Sequence, residues 1–318
     1  MYDVIVVGGG AAGLAGGLAL ARARRSVLVV DQGDPRNAPA GHVHNYLTRD
    51  GVPPAELYAL GRAEITGYGG EAITGSVVSA RSIDTSPDAP RFAVELADGR
   101  TYEARRLLVT TGVTDQLPEV EGLAERFGRD VLHCPYCHGW EVRDQAIGVM
   151  QSGPMGIHQA QLFRQWSEDV TLFLHNGPEP TDDEWEELAA RGISVVQGEV
   201  EAVETDGDQL TGVRLRGGRV IPRQAVVVQT VLSARAGFLA ELGLKAVERE
   251  ARGVTIGTAV EAGPTGATQV PGVWVAGNVT EPMVQLITAA ASGLAAGAAI
   301  NADLIAEEVR EAVAVRRG

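Results

Sequence analysis

The chain carries one local pattern twice: an apolar run, a turn built on glycine, a helix-forming stretch and a second apolar run. Nothing else in the sequence narrows the possible folds as far. In the first copy, residues 2–7 read as a buried strand and Gly8-Gly9-Gly10-Ala11-Ala12-Gly13 as the turn. A helix to about Arg25 and a strand over 26–30 follow, ending at Asp31. Gly8 permits a tight turn, Gly10 lets a pyrophosphate approach the backbone, and Gly13 lets helix and strand pack closely. The helix N-terminus then faces the phosphates. Asp31, eighteen residues past Gly13, can accept hydrogen bonds from a ribose. A GxGxxG alone is weak evidence, and a glycine turn without ligand is the alternative. With both strands and the terminal acid in place, the pattern indicates a dinucleotide site.

The second copy begins near Ala146. Its turn is Gln151-Ser152-Gly153-Pro154-Met155-Gly156, its helix runs to about Ser167, and its closing strand covers 170–174. Five residues before the last glycine, the first turn has Gly8 and the second Gln151. Eighteen residues after it, the first unit has Asp31 and the second Leu174. The tight-turn glycine and the ribose acid are therefore both missing from the second unit. The Gln151 side chain is expected to crowd the phosphate path.

Further strands are expected over 92–96 and 101–102, as a hairpin around Asp98-Gly99, and over 107–112, 193–197, 213–215, 225–228 and 273–276. The fold class expected is α/β, with two Rossmann-like, three-layer nucleotide-binding domains, the second inserted into the first. Residues 1–113 and 237–318 are assigned to the outer domain and 114–236 to the inserted one.

Hydrophobic residues make up 45% of the 318, enough for two cores. Lys and Arg number 27 against 41 Asp and Glu, a net charge of -14, which argues against nucleic acid or an anionic membrane as partner. The first strand has begun by Asp3, which leaves no room for a signal peptide. Residues 286–300 are uncharged, but about fifteen residues fall short of the roughly twenty that span a membrane, so a buried helix is expected. These features point to the cytoplasm, where a CxxC is usually redox-active.

Both cysteines lie in one stretch, Cys134-Pro135-Tyr136-Cys137, followed directly by His138. The spacing lets the sulfurs close a small disulfide ring or open to a dithiol, and a turn can depress one thiol's pKa. Two structural thiols are the alternative. A zinc site with His133 and His138 is possible on composition, but adjacent ligands rarely both reach one metal and no second pair exists. CPYC is also found in glutaredoxins, which lack glycine-rich units of this kind. His138 is the candidate proton acceptor, because imidazole titrates near neutral pH; a histidine that only packs or caps is the alternative. His133 reads as structural. Tyr136 and Trp140 read first as core packing, and otherwise as contacts for a small substrate.

Over its whole length the chain resembles the low-molecular-weight thioredoxin reductase family of FAD-dependent disulfide oxidoreductases. The resemblance rests on GGGAAG with Asp31, on TTG ending at Gly112, on the CxxC, and on VPGVWVAGNV with Gly277 and Asn278. It is closer still to the dithiol oxidases that close disulfides in gliotoxin, holomycin and related products. CPYCHGWE from Cys134 and the PRN…GHVHNYLTRDG…PPAEL stretch from Pro35 carry that likeness. Ordinary thioredoxin reductases have aspartate where His138 stands, and the family usually has aspartate where Asn278 stands.

The resemblance implies FAD as cofactor, held by Gly8, Gly10, Gly13, Asp31, Gly112, Gly277 and Asn278. It implies that His42, His44 and Asn45 lie near the flavin or line the substrate cleft, with an exposed loop as the alternative, and that Gln285 lies over the flavin. It also implies a homodimer, with Cys134 exchanging with substrate and Cys137 facing the flavin. NADPH-using relatives carry an arginine pair just after the strand that ends at Leu174. Here His175-Asn176-Gly177-Pro178-Glu179 follows, then Asp182, Asp183 and Glu184. NADPH is therefore expected to bind poorly or not at all, although other residues could hold it. The expected activity is oxidation of a small-molecule dithiol, with O2 as electron acceptor. The alternatives are an NADPH-dependent reductase of thioredoxin or a similar disulfide, and a flavin redox sensor with little turnover.

Overall fold

The computed structural model describes residues 1–251 and 253–317. Its largest sheet places Tyr2–Val7 at the centre, between Val27–Asp31 and Thr101–Val109, all parallel. Glu71–Thr74 extends one edge in parallel. On the other side Thr101–Val109 changes neighbour midway. Its first half pairs antiparallel with Arg91–Leu96, and its second half pairs parallel with Val273–Val275.

Side chains alternate across the sheet as a pleat requires. Val4, Val6 and Val29 pack under the helices Ala11–Arg22 and Leu286–Arg317. Ile5, Val7, Leu28 and Val30 pack on the opposite face, against residues 236–246 and the strand Val254–Val260. Burial on both faces is why these strands read as unbroken apolar runs.

A second, five-stranded sheet is parallel throughout. Its order is Ser194–Val196, Val170–Phe173, Ile147–Met150, Ala225–Val228, Val131–Leu132. The helices Gly156–Phe163 and Asp182–Ala190 cover one face. The antiparallel strands Val200–Asp206, Gln209–Leu215 and Val220–Pro222 cover the other. Both three-layer units expected from the sequence are thus present.

Several elements differ from expectation, three of them as follows. The strand expected at 107–112 begins at Thr101 and stops at Val109, because Arg105 and Arg106 are drawn into the interior by Glu307. The helix after the second turn ends at Phe163, not near Ser167. The last helix runs 32 residues, Leu286–Arg317, well beyond the uncharged stretch. It is the one helix among the described residues long and apolar enough to cross a membrane, yet its Ala289–Leu304 stripe is buried in the core. It meets Ala11–Arg22 at glycines: a Cβ on Gly293 would stand 1.9 Å from the Ala12 carbonyl oxygen.

Between the two units, Val113–Gln116 and Val231–Ala234 pair antiparallel and join Val254–Val260 and Ala246–Ala251 in a four-stranded sheet.

Candidate active site

The first glycine turn sits at the C-terminal end of the central strand, where open parallel sheets bind ligands. Gly8 has φ +106°, and a Cβ there would come within 2.6 Å of the Thr110 carbonyl oxygen. A Cβ on Gly13 would lie 1.9 Å from the Gly8 carbonyl oxygen. A Cβ on Gly10 would meet nothing within 4 Å, because it would project into open space. The turn is thus closed where it must pack and bare where a phosphate must approach. The Gly9 N–H donates to Asp31 Oδ1 at 3.0 Å, leaving the second carboxylate oxygen available to a ribose.

The turn lines a cavity of about 1140 Å³. That exceeds the roughly 300–1,000 Å³ of ordinary ligand pockets, giving room for an extended dinucleotide beside a small molecule. Asp31, Gly112, Gly277, Asn278 and Gln285 line it too. Both N–H groups of Asn278 are committed, to the carbonyls of Pro282 at 2.8 Å and Val284 at 3.0 Å. Its amide oxygen is left to accept, so it can serve a hydroxyl much as an aspartate would. These residues fit FAD.

Cys134, Cys137 and His138 line the same cavity. The cysteines are joined in a disulfide with a Cα–Cα separation of 5.3 Å. Cys134 caps the four-residue helix Pro135–His138 and Cys137 lies within it, and the helix's last two N–H groups donate back to the Cys134 carbonyl. The joined sulfurs leave neither cysteine as a metal ligand in this state. Gly139 is required beneath them, since a Cβ there would press on the Trp166 ring at 2.7 Å.

Burial lowers the pKa of His138, although the Glu141 carboxylate pulls it back up. The imidazole is therefore neutral at pH 7 and able to accept a proton. Burial pushes His133 further down, to about 4, and the neighbouring Arg36 charge adds to the effect. Its Nε2 lies 3.4 Å from the Arg36 guanidinium, in keeping with a neutral, structural histidine.

The 42–50 loop reaches the cavity from the first unit. His42 and His44 line it; Asn45 does not. The chain takes φ 58° at Asn45, and its side chain donates to the Tyr136 carbonyl at 2.5 Å. Asn45 therefore fastens the loop to the cysteine turn. His44 lies 3.3 Å from Glu141 and 3.4 Å from Asp50. The core reading of the aromatics is also overturned. Tyr136 is 55% exposed, edge-on to Trp166, and Trp140 is 65% exposed beneath the Arg143 guanidinium.

Arg36, inside the PRN stretch, has a role that no local pattern reveals: it grips Asp115 through two bonds of 2.5 and 2.7 Å, with Thr230 donating to the same carboxylate. Asp115 is 79 residues away in the chain, so only the fold reveals the pair.

At the second turn Gln151 is buried. It packs against Gly156 and Gly177 and donates to the Pro178 carbonyl at 3.2 Å. Leu174 is buried and offers a ribose no acceptor. The carboxylate of Glu184 closes a capping box with Thr181.

Comparison with known proteins agrees with this geometry. The chain is 30% identical to the thioredoxin reductase tcpT of Claviceps purpurea, over 96% of this chain and 95% of that protein. The crystal structure of HlmI matches with a TM-score of 0.91 and 43% identity, over 99% of this chain and 96% of that one. An oxidoreductase from Agrobacterium tumefaciens matches with a TM-score of 0.87 and 35% identity, over 96% and 98%. The model of the pyridine nucleotide-disulphide oxidoreductase family covers residues 2–293. By that match the chain belongs to the family, as a thioredoxin reductase-like oxidoreductase that depends on FAD.

Proposed function

We propose that the chain is an oxidase of small-molecule dithiols, closing a disulfide within its substrate and passing the electrons to O2. The observation that carries this is the opening of the Cys134–Cys137 disulfide and His138 onto the same cavity as the Gly8–Gly13 turn. The absence of a ribose acceptor at Leu174 supports a dithiol, not a nicotinamide, as electron source.

His138, neutral at pH 7, takes a proton from one substrate thiol. The thiolate attacks Cys134 Sγ, the Cys134–Cys137 bond breaks, and Cys137 leaves as a thiolate. The second substrate thiol then attacks the substrate sulfur of the mixed disulfide, the bond from that sulfur to Cys134 Sγ breaks, and Cys134 leaves carrying the second thiol's proton. Cyclised product leaves and the cysteine pair holds two more electrons. FAD, when bound, supplies the acceptor for that pair, with O2 as terminal oxidant and hydrogen peroxide as its product. The protein's own part is to hold Gly8, Gly10 and Gly13 in the turn and to offer Asp31, Gly112, Gly277, Asn278 and Gln285 to the cofactor.

In this reading residues 1–113 and 237–318 form the FAD-binding domain and 114–236 the inserted one. The pairing of Val113–Gln116 with Val231–Ala234, where the chain crosses over, supports that division. A cytoplasmic homodimer completes it. Ile287, Leu294, Ile305 and Val309, all exposed on one face of the last helix, support a second copy there. A monomer in sedimentation velocity at micromolar concentration would remove that part.

The name thioredoxin reductase, borne by tcpT and by sirT of Leptosphaeria maculans, favours an NADPH-dependent reductase as the second reading. One anaerobic experiment separates the two. Purified yellow protein is mixed with dithiothreitol and, separately, with NADPH. Bleaching by dithiol alone, with colour and peroxide returning in air, is expected; rapid bleaching by NADPH would reject the oxidase. Cys137→Ser should keep its FAD and lose dithiol-driven bleaching.

A further inference from the structure

We infer that Gln229 holds the second dinucleotide turn shut by placing its own amide where a pyrophosphate would bind. The inference deepens the oxidase reading and rests on it for its biological sense, but it stands on separate geometry. The two units provide an internal comparison. In the first, Val7 pairs with Val109, and Thr110 is the next residue. In the second, Met150 pairs with Val228, and Gln229 is the next residue. Thr110 and Gln229 thus occupy the same position, at the C-terminal end of the strand beside each glycine turn.

Their side chains do different things. Thr110 is short, and its hydroxyl donates down into its own turn, to the Val7 and Gly8 carbonyls. Gln229 reaches across. A Cβ on Gly153 would meet its Oε1 at 2.4 Å, its Cδ at 2.6 Å and its Nε2 at 2.9 Å. The corresponding point over Gly10 is empty to 4 Å. Gly153 is the glycine that must stay bare for a pyrophosphate to approach the backbone. Gln229 Oε1 also accepts the Met155 N–H at 3.1 Å, a donor at the helix N-terminus that a phosphate oxygen would otherwise use.

The residue is anchored to stay there. Its backbone N–H donates to Ser152 Oγ at 3.1 Å, and that hydroxyl donates to the Gln229 carbonyl at 3.0 Å. A nucleotide would have to expel the amide, break the Met155 bond and still find no carboxylate at Leu174. The pyridine nucleotide of the family name therefore does not fit this turn, and Gln229 is the residue that decides it.

The test is nucleotide binding by calorimetry, without dithiol and under argon, using NADPH, NADH and ADP as probes. The wild type should show no saturable binding. Gln229→Thr, which copies the first unit, should bind NADH and ADP saturably, at least about tenfold more tightly than the weakest binding the wild-type titration would have detected. Gln229→Ala serves as a second opening should the β-branched residue fold poorly, and retained yellow colour certifies each variant. Saturable NADPH binding to the wild type would overturn the inference; if the flavin were also reduced, the oxidase reading would fall with it. Wild-type silence repeated in both variants would overturn the role of Gln229 alone, since dithiol-driven oxygen uptake would continue.

Discussion

His138 sits between opposing influences. Burial depresses its pKa, the Glu141 carboxylate raises it, and the nearby His44 depresses it again. The rate of dithiol oxidation should therefore fall on the acid side with an apparent pKa below the ordinary 6.5 or so of histidine. His138→Gln should remove that limb and lower kcat/KM by about a hundredfold or more. Glu141→Gln should move the limb to lower pH, because a carboxylate favours the imidazolium; with Glu141 41% exposed, solvent keeps that shift small. Stopped-flow rates across pH 4 to 8 (roughly the span in which histidine titrates) check all three. An acid limb surviving in His138→Gln would place the base elsewhere. His138 was legible because it adjoins Cys137 in sequence. Glu141 ends the CPYCHGWE motif, but its approach to His44, 97 residues away, depends on the fold. Tyr136 and Trp140 misled because hydrophobicity suggests a core, whereas a four-residue helix at a cavity rim leaves such rings in the open.

At the scale of elements, the contact between Ala11–Arg22 and Leu286–Arg317 depends on residues without side chains. Gly16 and Gly293 face each other so closely that a Cβ on Gly16 would lie 2.9 Å from the Gly293 carbonyl oxygen. Gly293→Ala should force the helices apart and cost about 1–3 kcal/mol or more. Because Ala12 belongs to the nucleotide turn, the variant should also release FAD at a lower temperature. A melt followed by flavin fluorescence would show both effects, and an unchanged Tm would mean that the pair tolerates separation.

Both βαβ units were readable because burial on both faces leaves apolar runs and the turns need glycine. Thr101–Val109 reads as two pieces around Glu103, Arg105 and Arg106, and the two arginines look foreign to a strand until their partners on the last helix are known. The helix Pro54–Gly67 escaped notice because only Pro54, Tyr58 and Ile65 of it are buried. The pair Val113–Gln116 and Val231–Ala234 is short and partly polar, and each strand is specified by the other from more than a hundred residues away.

Across the whole molecule, the far end of the last helix is tied to the sheet by charge. Glu307 is 1% exposed and binds Arg91 and Arg106 at 2.7 Å and Arg105 at 3.1 Å. Burial alone would raise its pKa, but those guanidinium groups outweigh it and hold the carboxyl at about 2. Glu307→Ala should cost about 3–5 kcal/mol, because it leaves the buried Arg106 with Asp303 as its one carboxylate partner. In the wild type, the stability from this carboxylate is full above the unfolded value near 4.3 and is lost as pH falls toward 2. Urea midpoints at pH 7 and pH 3 should differ less in Glu307→Ala than in the wild type; an equal difference would assign the acid lability to other groups.

The two nucleotide units are also fastened around the cavity, by Arg36 on Asp115, His44 beside Glu141 and Asn45 on Tyr136. Buckled at these places, the halves should lose their order in a single endotherm, with calorimetric and van't Hoff enthalpies in agreement. Two resolved peaks would mean that the buckles are slack. If the proposed oxidase is buckled in this way, it should turn over a slender dithiol and leave untouched a thiol pair borne on a folded carrier; equal oxygen uptake with both would mean that the mouth yields.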